Sequence, residues 1–404
     1  MKHYYEVDHL IKSIHENNNS DETTQKNHAL IELEVEKQIE ILKNPDAMVR
    51  AGALRKISEY KADAVDKIIS NLDTENELLL EMLFELCGKM QIKSSKNHLV
   101  KALQHKNKNI CAVAAKSLGY IGDNECVDYL IEAYKADEYK IRERVVEALG
   151  RIGGEKAAMG VVIALKDDNK YIREEAAEIL GNMEKSDDAV LGLIDALSDV
   201  NIYVRRRAVR SLGKLGDKRA IEPLKKELSD EFWQVREKAA ESLGKINDMD
   251  SLKALEEALF DNSREVRFEA ARALGRIGNI MVVDSLIKVL CDKIWDVRRE
   301  ANWALRKIGL PAVKPLIDAL ENPDRYIREE AANVLGKIGD ISSVPALINS
   351  LKDEDEFVRE EAAKALGRIG DKRAVPYLKG IMENEPYDSD LRDIIKSALV
   401  KLNK

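Results

Sequence analysis

The sequence predicts an all-α fold, in which about twelve two-helix repeats stack into an α-solenoid. An aliphatic-Arg pair recurs along the chain, and successive copies lie 30 to 33 residues apart. A glycine recurs eight residues after most of these arginines, and a second glycine often follows three residues later. A fixed period of this length is typical of proteins built by stacking one structural unit. The arginines are Arg50, Arg142, Arg173, Arg205, Arg236, Arg267, Arg298, Arg328, Arg359 and Arg392, and Leu80 and Cys111 occupy the two remaining positions.

The repeat that contains Arg359 shows why its second half should be helical. At 100° per residue, its apolar side chains fall on one stripe and its charged side chains on the other. Arg359 lies on the apolar side in the first turn, where the helix dipole opposes a cation. It therefore needs a nearby carboxylate, which the Asp-rich turn just before it could supply, as at Asp353 and Asp355, either within the same repeat or to the neighbouring one. We interpret the repeated arginine as a structural ladder. The apolar stripe consists of Val358, Ala362, Ala363, Leu366 and Ile369.

The glycines predict two further features of the repeat. A glycine inside a helix, such as Gly275 or Gly336, costs about 1 kcal/mol relative to alanine. Its recurrence therefore predicts helices that approach too closely for a side chain. The later glycines, such as Gly278, fit helix ends that need a positive φ, and Asn247 is an acceptable substitute.

Two segments carry a more specific pattern, Asp217 to Leu224 and Asp371 to Leu378. They resemble the short HEAT-like repeat of the phycobilin-lyase type. The resemblance covers residues 100–384 well and residues 28–99 loosely. It implies a right-handed superhelix whose second helices line the concave face. It does not imply one activity, because this repeat serves lyases, hydroxylases, DNA-repair enzymes and scaffolds.

We expect residues 1–27 to form an N-terminal cap helix and a polar linker, and residues 28–404 to form the solenoid. Within the solenoid we expect degenerate repeats in 28–120, regular repeats in 121–384 and a C-terminal cap helix in 385–404. In the degenerate repeats, the predicted second helix that contains Phe84 is apolar on nearly all of its sides. That surface is either covered by the N-terminal helix or exposed as a contact surface.

Composition limits the functional classes. The net charge of −8 argues against a general nucleic-acid binder, although a local basic patch remains compatible with it. Four scattered cysteines without a CxxC motif predict reduced thiols. No apolar run reaches the roughly 20 residues of a membrane span, and the first residues do not resemble a signal peptide. We therefore predict a cytoplasmic protein.

No catalytic or metal-binding motif is present, so we predict no catalytic residues, no metal and no cofactor. All six histidines lie in the first 105 residues, and His15-Glu16 is the only His-Glu pair. HEAT-like hydroxylases carry several such pairs. A lyase or DNA-repair enzyme on this repeat stays open as an alternative. Four residues could imitate a glycosylase site, Trp295, Trp303, Glu300 and Arg299, although the acidic face around them argues against it.

The ninth repeat departs most from the pattern and contains the predicted binding patch. Arg306 replaces the interior glycine, and Trp303 falls at the centre of the polar side. Cationic and aromatic side chains together can bind carboxylates, phosphates or flat rings. Alternatively, Trp303 fills a gap left by an enlarged helix spacing. The predicted concave patch consists of Arg272, Trp295, Arg299, Trp303 and Arg306.

A secondary row of aromatic residues lies at the starts of second helices, either as packing across the turn or as binding anchors. A basic row lies near the helix ends, where the helix dipole favours cations, and an acidic partner or nucleic acid could use it. The function that we predict is a non-enzymatic scaffold or chaperone-like adaptor that binds a protein or peptide. The aromatic row includes Tyr171, Tyr203, Trp233, Tyr326 and Phe357.

Overall fold

A computed structural model describes residues 20–384 and 389–402, and every regular element in these two ranges is helical. The helices alternate as first and second helices of successive repeats. A short 3-10 turn precedes most of the first helices. The predicted all-α repeat fold is therefore confirmed. The helix predicted for residues 1–16 lies outside the described residues.

The chain divides into two compact units, Met1–Gly192 and Leu193–Lys404. The helices that begin in the N-terminal unit are α1 (Ser20–Ile41), α2 (Ala47–Glu59), α3 (Val65–Ser70), α4 (Glu77–Lys89), α5 (Lys96–Ala102), α6 (Lys108–Ile121), α7 (Val127–Ala133), α8 (Tyr139–Ile152), α9 (Gly154–Ala164), α10 (Lys170–Leu180) and α11 (Asp187–Ala196). The C-terminal unit continues with α12 (Ile202–Leu215), α13 (Ile221–Glu227), α14 (Trp233–Ile246), α15 (Leu252–Ala258), α16 (Arg264–Ile277), α17 (Val283–Val289), α18 (Trp295–Ile308), α19 (Val313–Ala319), α20 (Arg325–Ile338), α21 (Val344–Ser350), α22 (Glu356–Ile369), α23 (Val375–Asn384) and α24 (Asp390–Leu402).

The structure adds detail at both predicted ends of the repeat array. Helix α1 begins at Ser20, so it runs across the predicted limit between residues 27 and 28. Helix α24 lies within the predicted C-terminal cap of residues 385–404. In the degenerate repeats, the side chain of Phe84 is buried rather than exposed. The division into cap and repeat segments stays a prediction.

Several of the repeated arginines pair with a carboxylate and form the predicted ladder. For example, the guanidinium of Arg328 donates from Nε and Nη2 to the carboxylate of Asp353, at 2.8 and 2.9 Å. Its Nη1 donates to the main-chain oxygens of Asn322 and Pro323. The aspartate lies in the turn of the next repeat, 25 residues further along the chain. The pairs of this kind are Arg142–Asp167 in the N-terminal unit and Arg205–Asp230, Arg236–Asp261, Arg267–Asp292 and Arg328–Asp353 in the C-terminal unit.

The interior glycines mark close contacts between consecutive second helices, as predicted. A Cβ atom added at Gly336 would lie 2.6 Å from the Cα atom of Ala365, so any side chain would force α20 and α22 apart. At the helix ends, Gly278 has a φ of 69° and Asn247 a φ of 59°, in the left-handed region. The close contacts at the interior glycines hold the second helices of the C-terminal unit in one layer.

We call one side of this layer the second-helix face. It carries an acidic row near the helix starts and a basic row near the helix ends, as the helix dipole favours. The acidic row consists of Glu269, Glu300, Glu330 and Glu361. The basic row consists of Lys245, Arg276, Lys307, Lys337 and Arg368.

Candidate functional site

Trp303 lies in the middle of α18 on the second-helix face, and 39% of it is exposed. The six-membered ring packs towards the preceding helix. Its Cζ3 atom lies 2.7 Å from the position that a Cβ atom of Gly275 would occupy. The absence of a side chain at Gly275 therefore makes room for the ring. A partly exposed tryptophan that packs against a neighbouring helix is typical of binding hot spots.

The other side of α18 faces α20 across a wider gap. Most neighbouring second helices of the C-terminal unit pack against each other along their length, but α18 and α20 make far fewer contacts. Arg306 stands where α16 and α20 have an interior glycine, Gly275 and Gly336. A long side chain at this position prevents the close approach that glycine allows elsewhere. The irregular repeat thus leaves a gap between α18 and α20. Trp303 does not fill this gap, because its ring packs against α16 on the other side of α18.

A cavity of about 420 Å³ occupies this gap. The side chains of Trp303, Leu310 and Ile338 form its apolar walls. Three cationic side chains complete the lining, Arg306 and Lys307 from α18 and Lys337 from α20.

The charge of the cavity is reflected in the pKa of Lys337. Partial burial lowers this pKa, and the charge of Arg306, with a smaller effect of Arg368, lowers it further against the opposing charges of Glu330 and Glu361. The side chain of Lys307 lies over the ring of Trp303, with its Nζ atom 5.3 Å from the ring centroid. Its ammonium also donates to the main-chain oxygen of Arg276 at 3.1 Å. The cavity is therefore an electropositive site with an aromatic wall.

The structure divides the predicted patch into separate groups. Trp303 and Arg306 line the cavity, whereas Trp295 lies eight residues before Trp303, about 12 Å away along the helix. Arg299 stacks on the ring of Trp295 at 4.7 Å and forms an ion pair with Asp296 at 3.2 Å. These side chains therefore belong to the start of α18.

Arg272 is also absent from the cavity lining. Its guanidinium is 3.3 Å from the carboxylate of Glu269 on the same helix. The other oxygen of Glu269 is buried without a hydrogen-bond partner. Burial accordingly raises the pKa of this carboxyl group, against the opposing effect of Arg272.

Glu269 lines a second cavity of about 250 Å³ at the starts of α14, α16 and α18. The carboxylates of Glu237, Glu265 and Asp296 line it too, together with the ring of Phe268. The two cavities thus lie at opposite ends of the second helices and differ in charge. This separation gives the second-helix face an acidic end and a basic end.

The secondary aromatic residues are exposed at the starts of their helices. Their exposed fractions lie between 39% and 67%, so packing across the turn buries only part of each ring. Some contact a neighbouring cation, as Tyr326 does with Arg325 at 4.1 Å. The residues are Tyr171 in the N-terminal unit and Tyr203, Trp233, Tyr326 and Phe357 in the C-terminal unit.

The sequence pattern does not distinguish Lys307, Lys337, Leu310 or Ile338 as cavity residues. Lys307 and Lys337 appear in it only as members of a basic row, whose position the helix dipole explains. Their helices carry Trp303 and Asn333 four residues earlier, but this does not set them apart, because Arg276 and Arg368 follow Arg272 and Lys364 in the same way. In this row only Lys245 follows a carboxylate, Glu241. Both lysines therefore lack the carboxylate that Lys245 has at this position on its own helix.

Within residues 20–384 and 389–402, no group of three or more His, Cys, Asp and Glu side chains is arranged to hold a metal ion. In the same ranges, no helix combines the length and the apolar character needed to cross a bilayer. The geometry around Trp303 thus consists of aromatic, apolar and cationic surfaces. These surfaces can bind and orient a ligand.

Comparison with solved structures places the chain among helical repeat proteins. Importin beta is 16% identical over 97% of this chain and 64% of its own length, with a TM-score of 0.56. Kap95p, in a study of its binding to RanGDP, is 14% identical over 95% of this chain and 62% of its own length, with a TM-score of 0.55. The chain thus spans less than two thirds of both importin-like proteins, and the likeness shows the fold alone.

The complex of CpcE and CpcF of phycocyanin lyase from Nostoc sp. is 25% identical over 62% of this chain and 96% of its own length. Its TM-score of 0.36 is too low to support a structural argument. No curated protein matches the chain by sequence.

A family model described as HEAT repeats matches most of the chain. The matches cover residues 96–181, 159–228, 190–267, 261–316 and 313–399. They include the arginine–aspartate pairs from Arg142 to Asp353 and the cavity beside Trp303. The predicted resemblance to HEAT-like repeats is confirmed, and the chain belongs to the HEAT-repeat family.

Proposed function

We propose that this chain is a non-enzymatic scaffold or chaperone-like adaptor that binds another protein or a peptide on the second-helix face of its C-terminal unit. The main support is Trp303, a large aromatic side chain that is held against Gly275 and exposed beside a 420 Å³ cavity. Tryptophan is enriched among the few interface residues that supply most of the binding energy. The HEAT-repeat fold supports this proposal, since Kap95p, a protein of similar fold, binds RanGDP.

The partner would contact more than the cavity. Exposed aromatic side chains at the helix starts offer further contacts along the same layer, and Tyr326 and Phe357 lie on the next two second helices, α20 and α22. Trp295 and Arg299 form another such group at the start of α18. We therefore assign Trp303 the role of anchor and these residues the role of supporting contacts.

Affinity capture tests the proposal with the full chain as bait. We compare the wild type with Trp303→Ala and quantify the captured proteins by mass spectrometry. Loss of a hot-spot tryptophan typically costs 2 kcal/mol or more, about a thirtyfold loss of affinity. At least one partner should therefore disappear from the Trp303→Ala sample.

Tyr377→Ala is the matched control, because Tyr377 is 52% exposed but lies on a first helix, α23. It should retain every partner. Circular dichroism of both variants checks that they remain folded. An unchanged set of partners for folded Trp303→Ala would refute the role of the anchor.

We also propose a cytoplasmic location. The four cysteines form no disulfide with one another, and three of them are buried. Burial raises the pKa of Cys87 and of Cys126 to about 11, so both thiols are unreactive near neutral pH. Unpaired thiols are typical of reducing compartments. Cell fractionation tests this, and recovery in a secreted fraction would contradict it.

A further inference from the structure

Three cations around the cavity lack an anionic partner. Within the described part of the chain, no carboxylate lies within ion-pair distance of Arg306, Lys307 or Lys337. Lys337 donates one long hydrogen bond, to the side-chain amide oxygen of Asn302 at 3.5 Å. This clustering contrasts with the net charge of −8 of the whole chain.

Two equivalent cations elsewhere on the second-helix face are neutralised by carboxylates of their own helices, whereas Arg276 has no ion pair among the residues that the structure describes. Lys245 pairs with Glu241 at 2.7 Å, and Arg368 pairs with Glu361 at 2.7 Å. In α18, Trp303 occupies the position that Glu241 has in α14. Lys307 therefore lies over an aromatic ring instead of beside a carboxylate.

In α20 the missing neutralisation has a different cause. Asn333 occupies the position of Glu241, and the nearby carboxylate of Glu330 accepts hydrogen bonds from Asn302 at 2.8 Å and Asn333 at 3.0 Å. Lys337 therefore has no carboxylate of its own. Arg306 then adds a third cation at a position where the neighbouring helices have glycine. Several independent substitutions thus concentrate positive charge at one cavity.

The cavity also has an apolar side. The ring of Trp303 and the side chains of Leu310 and Ile338 lie beside the cations, and Leu310 is 67% exposed. A small inorganic anion would leave these walls in contact with water. A peptide that carries an acidic side chain next to an aliphatic or aromatic side chain would use both surfaces.

Resting on the proposed function, we infer that this cavity binds an acidic peptide segment of the partner protein. One carboxylate would accept hydrogen bonds from Arg306 and Lys337, and a neighbouring apolar side chain would pack on Trp303 and Leu310. Charge-assisted hydrogen bonds to a guanidinium are stronger than those between neutral groups. The partner's carboxylates supply the negative charge that this part of the second-helix face lacks.

Nucleic acid fits the same surface less well. A phosphate backbone binds along an extended path of cations, whereas the acidic row lies on the same helices as this cluster. Glu300 and Glu330 stand one to two turns before Arg306 and Lys337, and the acidic cavity around Glu269 lies beyond them. The positive surface is therefore local, as a short acidic segment requires.

Fluorescence anisotropy with the full chain tests this inference. The probe is a fluorescein-labelled peptide in which Asp and Glu alternate with Leu and Phe. Its twin carries Asn and Gln in place of the acids, and a single-stranded oligonucleotide of the same charge is the third probe. The variants are Arg306→Gly, which restores the residue of the neighbouring repeats, and Lys337→Gln. Lys245→Gln is the matched control, because Lys245 occupies the same helix position as Lys337 but pairs with Glu241.

We expect the acidic peptide to bind more tightly than its neutral twin and than the oligonucleotide. Arg306→Gly and Lys337→Gln should each weaken binding of the acidic peptide about tenfold, since each removes a hydrogen bond between charged groups. Lys245→Gln should change it less than about twofold. Circular dichroism confirms that the variants are folded.

Equal binding of the acidic peptide and its twin would overturn the inference, as would tighter binding of the oligonucleotide. Equal effects of Lys337→Gln and Lys245→Gln would also overturn it. If Trp303→Ala loses a captured partner while the acidic peptide fails to bind, only this inference is overturned. If the acidic peptide binds as expected while Trp303→Ala retains every partner, only the proposed function is overturned.

Discussion

Replacement of Arg328 by methionine tests the structural role of the arginine ladder. The side chains of Arg328 and Asp353 are only 8% and 11% exposed, and two short hydrogen bonds join them. The substitution keeps most of the apolar volume but leaves the carboxylate of Asp353 without its cation. Removing one partner of a buried ion pair costs about 3–5 kcal/mol. Because both side chains retain some solvent contact, we expect a loss of about 3 kcal/mol in the free energy of unfolding.

Arg298→Met is the matched control within the same unit. Pro323 stands 25 residues after Arg298, at the position of the aspartate that pairs with Arg328 in its repeat, and Arg298 donates to the main-chain oxygen of Asp292 at 2.7 Å. Its loss should cost about 1 kcal/mol, the typical net value of one hydrogen bond. Urea denaturation followed by circular dichroism measures both variants. Equal costs for the two substitutions would refute the ladder as the source of stability.

The pH dependence gives the same experiment a second readout. Burial would raise the pKa of Asp353, but hydrogen bonds from Arg328 and from the amide of Asp355 outweigh it and lower the pKa. The stability that this carboxylate contributes is therefore present above its unfolded pKa of about 4 and is lost as the pH falls through its lower folded value. In Arg328→Met, protonation of Asp353 removes the unpaired charge. The cost of the substitution should therefore shrink below about pH 4, and a constant cost would contradict this account.

Two further predictions concern stability. Gly275→Ala should lower the free energy of unfolding by about 2 kcal/mol, because the new Cβ would lie 2.9 Å from the Cα atom of Ala304. Gly380→Ala is the control, since no atom lies within 4 Å of its new Cβ. It should raise the free energy of unfolding by about 0.5–1 kcal/mol. Thermal denaturation of both variants measures this, and shifts of the same sign would contradict the close approach. Burial raises the pKa of Glu175 to about 7, and the nearby charges of Glu147 and Glu143 contribute to this rise. The charged form of Glu175 therefore lowers the free energy of unfolding increasingly as the pH rises from about 4.5 to 7. Glu175→Gln should therefore stabilise the protein by about 1 kcal/mol near pH 8 after allowance for solvent screening, and should have no effect near pH 4; a benefit that is equal at both pH values would contradict this cause.

The repeat architecture could be predicted because the same local signals recur along the chain. Most second helices show an apolar stripe and an arginine within one short segment. The arginine needed a carboxylate, and the structure shows it in the turn of the next repeat, as between Arg328 and Asp353. A regular spacing of 25 residues makes such a pair visible in the sequence. The contact of Gly336 with Ala365 is predictable for the same reason.

The candidate site was only partly predictable. The substitutions that introduced Trp303 and Arg306 stood out against the other repeats, and both line the cavity. Trp295 and Arg299 stood out as well, but they lie one to two turns before Trp303 on the same helix, where Arg299 stacks on Trp295 and pairs with Asp296. A pattern on one helix indicates which residues share a side, but it does not show which of them share a cavity.

The sequence by itself determined the helical repeat, its period and the residues that hold neighbouring repeats together, because these features depend on signals that recur at constant spacing. Only the tertiary structure decided where an irregular repeat leaves open space. Arg306 separates α18 from α20. The ring of Trp303 then lines the resulting gap together with Lys337 and Ile338. That arrangement depends on the distance between two helices, and a helix spacing is set by the packing of all the side chains between them.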